Sequence, residues 1–79
     1  MSRYYFHAEN GSGRSPDLEG RELPDLEQAR RVAIRGARSL ICDDVNAGVL
    51  DLSGRIEITD GSGAVLMTVQ FTEAVDIRS

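Results

Sequence analysis

Residues 3–9, Arg-Tyr-Tyr-Phe-His-Ala-Glu, alternate with the period of two expected of a β-strand. Tyr4, Phe6 and Ala8 share one face, and Tyr5 and His7 share the other. The aromatic content suits a strand, but both faces carry apolar groups, so the segment alone does not say which is buried. Asn10-Gly11-Ser12-Gly13 predicts a turn, and Ser15-Pro16-Asp17 extends the polar loop. A short second strand is predicted from Leu18 to Leu23, with Gly20 at a bulge or kink.

The pattern then changes period. Pro24-Asp25-Leu26-Glu27-Gln28 opens a helix: Asp25 is placed to accept from the free amides of the first turn, and Gln28 three residues on completes a capping-box spacing. From Leu26 the residues Ala29, Ala33, Ala37 and Leu40 recur at helical spacing, flanked by Val32, Ile34 and Ile41. The centre of this stripe is mostly alanine, with Gly36 beside it. Glycine in mid-helix costs up to about 1 kcal/mol against alanine, so its presence predicts a close contact between helix and sheet. Asn46-Ala47-Gly48 supplies the C-terminal cap, while Asp43 and Asp44 sit unfavourably at the negative end of the helix and predict fraying there or an earlier end to the helix.

Gly54 to Asp60 returns to alternation, with Ile56 and Ile58 on one face and Glu57 and Thr59 on the other. Asp60-Gly61-Ser62-Gly63 predicts a hairpin turn. Ala64 to Phe71 is the last predicted strand, with Val65, Met67, Val69 and Phe71 alternating against Ala64, Leu66, Thr68 and Gln70. Thr72-Glu73-Ala74 breaks the pattern, and Val75 and Ile77 are expected to pack as a last turn or a short extension. The order β-β-α-β-β predicts a two-layer α+β fold over residues 1–79, with one helix packed on a small antiparallel sheet.

Seventy-nine residues allow one core, and 41% hydrophobic content makes it a small one. A net charge of −4, from 13 acidic and 9 basic residues, disfavours general nucleic-acid binding. Cys42 is the only cysteine, so it can form neither an intrachain disulfide nor a cysteine-based zinc site, and it fits a reducing compartment. No run reads as a membrane span or a signal peptide, and a cytoplasmic location is expected.

Few residues suggest chemistry. His7 is the only histidine and reads as a strand residue stacked or bonded locally; acid-base work would need a partner within hydrogen-bond reach. Cys42 lies off the apolar stripe with Asp43 and Asp44 adjoining it, an environment that disfavours a thiolate. Asp17, Glu19 and Glu22 lack the oxygen spacing of a calcium loop and read as solvated charge. Gly11-Ser12-Gly13 precedes no helix and is not a phosphate loop. Arg31, Arg35 and Arg38 lie together on the helix side opposite the alanines. They read chiefly as a solvated ridge, with Glu27 placed to pair with Arg31, and secondarily as a weak anion or nucleic-acid contact. No catalytic residue, cofactor or metal ligand is expected.

Several short motifs resemble the DUF6894 family: Arg3-Tyr4-Tyr5-Phe6-His7, Asp17-x-Glu19-Gly20, Leu23-Pro24-Asp25-Leu26-x-x-Ala29, Ile56-x-Ile58-x-Asp60 and Val69-x-Phe71. Together they cover nearly the whole chain. The resemblance implies a small stand-alone bacterial protein of unknown function and offers no catalytic residues. Leu23-Pro24-Asp25-Leu26 and Ala29 are also loosely similar to the HicB-like antitoxin fold, which would imply a protein partner, although fold alone does not establish such a role. The expected function is a non-catalytic protein-interaction domain that self-associates as a homodimer. Tyr5, His7, Leu66 and Thr68 are the expected interface, because apolar groups appear on the second face of both the first and last strands.

Overall fold

The structure is a computed structural model that describes residues 1–11 and 13–78. Its elements are β1 (Ser2–Asn10), β2 (Gly13–Ser15), β3 (Arg21–Leu23), α1 (Leu26–Asn46), β4 (Arg55–Thr59), β5 (Val65–Gln70) and α2 (Phe71–Ala74). The strands form one antiparallel sheet in the order β2-β1-β4-β5, and β3 pairs with the other half of the β1 edge that β2 occupies. The α+β class and the helix on an antiparallel sheet are as predicted. The strand count is not, because β2 falls where a polar loop was expected.

β1 is the spine of the sheet. Along one edge Ser2, Arg3 and Tyr4 pair with Leu23, Glu22 and Arg21, while Ala8, Glu9 and Asn10 pair with Ser15, Arg14 and Gly13. The second predicted strand is thus confined to Arg21–Leu23, and the predicted turn residue Ser12 lies outside the described residues. Along its other edge β1 pairs with β4 from Tyr5↔Thr59 to Glu9↔Arg55. This register places Tyr4, Phe6 and Ala8 on the same face as Ile56 and Ile58, which decides the buried face of β1.

That face is covered by α1. The helix begins at Leu26 because the Asp25 carboxylate accepts from the Gln28 backbone N–H at 2.9 Å; only this half of the predicted capping box forms. Ala29, Ala33 and Ala37 are fully buried against the sheet. A methyl group at Gly36 would lie 3.3 Å from Cδ1 of Ile56, the close approach predicted from the small residues. The helix does not end early at Asp43 and Asp44. It closes in a Schellman arrangement, with Gly48 N–H donating to the Val45 carbonyl and Val49 N–H to that of Asp44.

The last predicted strand is shorter than expected. β5 stops at Gln70, and Phe71 turns inward as the first residue of α2, where it is fully buried. The cause is a capping box: Gln70 N–H donates to the Glu73 carboxylate at 2.8 Å, and the Gln70 side chain answers the first-turn amide. α2 packs beside α1, held by an Arg30–Glu73 ion pair at 3.6 Å and by Arg38 Nε donating to the Ala74 carbonyl at 2.6 Å. Val75 packs on the core as predicted, whereas Ile77 is exposed. Phe71 fills the space left by the alanine seam and lies against Gly54. An added Cβ at Gly54 would come within 2.6 Å of the Phe71 ring and 2.8 Å of the Glu9 carbonyl.

Two substitutions test this packing. Ala33→Leu should overpack the helix-sheet seam and cost about 1–3 kcal/mol, read as a lower denaturant midpoint. Gly54→Ala should destabilise by a similar amount, because the ring and the β1 backbone must both move; an unchanged midpoint in either variant would refute the close contact.

Candidate functional site

Both helices lie on one side of the sheet, so the opposite face is uncovered. By strand parity it presents Tyr5, His7 and Glu9 from β1, Arg14 from β2, Arg55, Glu57 and Thr59 from β4, and Thr68 and Gln70 from β5. Of the expected interface residues, Tyr5, His7 and Thr68 therefore share this side. His7 is opposite Glu57, and Glu57 is opposite Thr68. Leu66 sits at the edge for a separate reason. Ile58 pairs with Met67 and Thr59 with Val65, so Leu66 is the extra residue of a β-bulge and is 43% exposed.

His7 is held at three points. Its ring stacks on Tyr5, with centroids 6.5 Å apart and planes 7° from parallel. Nδ1 accepts from the Asp17 backbone N–H at 3.0 Å. That leaves Nε2 as the protonated nitrogen, donating to Thr59 Oγ1 at 3.0 Å. Thr59 is only 4% exposed, so this bond satisfies a buried hydroxyl. Glu9, two residues along β1 on the same face, accepts from Arg55 at 3.0 Å and from Arg14 at 3.3 Å. Arg14 also donates to Glu57 at 2.8 Å, so two arginines and two glutamates alternate across three strands. The Arg14 hydrogen bond and the charges of Arg14 and Arg55 hold the Glu57 carboxyl below its ordinary range, outweighing its partial burial.

Asp17 was read as solvated charge, and the structure corrects this. β3 and β2 leave the middle of the β1 edge without a strand partner. Asp17 Oδ2 fills the gap by accepting from Phe6 N–H at 3.1 Å, while Oδ1 accepts from Glu19 N–H at 3.2 Å and Gly20 N–H at 3.1 Å. Burial pushes its carboxyl up, but the amides of Gly20, Phe6 and Glu19 prevail and leave it lowered. Gly20 adopts φ +71, and a Cβ there would lie 2.8 Å from the Tyr5 ring. The Asp17-x-Glu19-Gly20 motif is therefore a device for bridging an interrupted edge. Sequence reasoning gave no role to Asp17 at the β1 edge, nor to Thr59, Arg14 and Arg55 on the open face. The signal for Asp17 was an aspartate three residues before a glycine, an Asx-type spacing.

The arginines of α1 are divided among different contacts. Arg31 pairs with Glu27 at 3.4 Å, Arg38 reaches back to α2, and Arg35 makes no side-chain hydrogen bond or ion pair among the described residues. Cys42 is exposed, with Asn46 Nδ2 3.9 Å from its sulfur. Among the described residues there is no pocket, no group of three metal-ligating side chains, and no helix long and apolar enough to cross a membrane.

Residues 3–72 match the family described as a domain of unknown function, DUF6894. The chain belongs to the DUF6894 family. The matched span contains the Asp17 bridge, the His7 contacts, the alanine seam and Phe71. No curated protein and no solved structure matches the chain.

The Asp17 bridge makes a pH prediction. Carboxyls whose folded values are lowered, Asp17, Asp51, Asp60 and Glu57, contribute stability that is full above the unfolded range of about 4 and is lost as pH falls through the folded value. The denaturant midpoint should therefore fall between about pH 6 and about pH 3. Asp17→Ala should cost on the order of 2 kcal/mol at neutral pH and flatten that dependence. A pH slope equal to that of the parent chain would show that Asp17 is not one of the groups responsible.

Proposed function

We propose that this DUF6894 domain is a non-catalytic interaction module whose partner is a second copy of itself. The observation that carries the reading is that both helices cover the same side of the sheet, leaving the other side and the β5 edge open, with Val65 54% and Leu66 43% exposed. A chain this small gains proportionately from burying such surface. The non-catalytic part of the reading is supported by His7, whose two ring nitrogens are both engaged by structural partners within the fold. Arg31 and Arg38 are likewise taken up by Glu27 and Ala74, which favours protein over nucleic acid as the partner.

Light scattering across a dilution series tests this. The expected result is a species of twice the 8.6 kDa chain mass that dissociates on dilution. A mass of 8.6 kDa at every concentration would overturn self-association and leave a different protein, as in the antitoxin-like reading, to be sought.

A further inference from the structure

The two edges of the sheet are built differently. One is formed by β2 and β3, three residues each, interrupted by the Asp17 loop and carrying Arg14, Arg21 and Glu22. Short strands, breaks and charges discourage the addition of another strand. The other edge is β5, six residues long, with sequence Val-Leu-Met-Thr-Val-Gln. It contains no proline, and it is the one strand of the five with no charged side chain.

The direction of the β5 backbone follows from its neighbours. Phe71 N–H donates to the Gly54 carbonyl at 2.9 Å, so the Phe71 backbone faces β4. Alternation then turns Val69 and Met67 toward β4, and Gln70 and Thr68 toward the open edge. The Gln70 N–H agrees, since its acceptor is the Glu73 carboxylate and not β4. Thr68 has no such substitute among the described residues. The available stretch is bounded by the Glu73 cap at one end and the Leu66 bulge at the other, which centres it on Thr68.

We infer that the self-association proposed above, on which this inference rests, joins β5 of one copy to β5 of a second, antiparallel about a two-fold axis at Thr68. On that axis the two Thr68 residues exchange a pair of N–H···O=C bonds, and Leu66 of each copy lies opposite Gln70 of the other. A second copy fits this edge better than a foreign strand. The pairing is self-complementary, and two chains of net charge −4 meet along their uncharged strand, with no like charges opposed. The seam also continues the open face, because Thr68 projects on the same side as His7 and Glu57.

The test is amide hydrogen exchange on the full chain at concentrations above and below the light-scattering transition, together with Thr68→Pro and Thr68→Lys. At high concentration the Thr68 amide should slow by about tenfold or more, while Met67 and Val69, already bonded to β4, change less. Proline removes an N–H that points outward, so it should abolish the dimer and leave the circular dichroism of the monomer unchanged. Thr68→Lys sets two charges together on the axis and should do the same, which covers the case in which the proline variant fails to fold. A dimer whose Thr68 exchange does not depend on concentration, and which survives Thr68→Lys, would overturn the edge-to-edge arrangement while leaving self-association intact. A monomer at every concentration would overturn both.

Discussion

Everything in this fold depends on how closely α1 lies on the sheet. Ala29, Ala33 and Ala37 bring almost no volume to the core, and Gly36 brings none, so the helix backbone rests directly on Ile56 and its neighbours. Bulk must then come from elsewhere. Ile58, Val69 and Phe71 are the largest fully buried side chains, and all three belong to β4, β5 or the turn that follows them. Phe71 follows Met67 and Val69 on the core-facing side of the alternation, so its ring enters the core just where the backbone leaves β5 for α2. Gly54 is the counterpart of this arrangement, since the ring occupies the space that any side chain there would need.

A second constraint acts on the other side of the sheet. With no helix there, the side chains of the open face must satisfy one another. They do so in two groups: the arginine-glutamate square of Arg14, Glu9, Arg55 and Glu57, and the chain that runs from Asp17 through His7 to Thr59. The exposed ion pairs contribute little individually. The His7 chain buries a hydroxyl and joins three separate parts of the molecule, the loop before β3, the centre of β1 and the end of β4. A polar surface organised in this way leaves the bulge and the edge of β5 as the least satisfied part of the sheet.

Much of this was legible in the residues. The start of α1 follows from Asp25, its buried side from the alanine spacing, and the β4–β5 hairpin from Asp60-Gly61-Ser62-Gly63. The placement of Tyr5, His7 and Thr68 on one side follows from parity alone, whereas the bulge takes Leu66 out of that alternation. What was not legible depends on contacts distant in sequence. β2 contains no apolar residue, so its strand conformation is imposed by pairing with β1 and is invisible to any periodicity. Phe71 continued the alternation of Val65, Met67 and Val69, and only the Gln70–Glu73 spacing pointed to a helix start. Asp17 looks like any loop carboxylate until the gap in the β1 edge is known. Thr59 looks like an ordinary strand residue until the register sets it beside His7.

The position of β1 has a consequence for how the chain assembles. This strand precedes the other elements of the sheet in the chain, yet its partners on one edge come from β4: His7 meets Thr59 across 52 residues, and Glu9 meets Arg55 across 46. Closing loops of that length is the slow, entropically costly part of forming such a sheet. On its other edge, β1 has local partners in β2 and β3, with Asp17 filling the interval between them. An emerging chain can therefore complete one side of its aromatic strand before α1 has been synthesised, which limits the time during which both edges of that strand are free to pair with other chains.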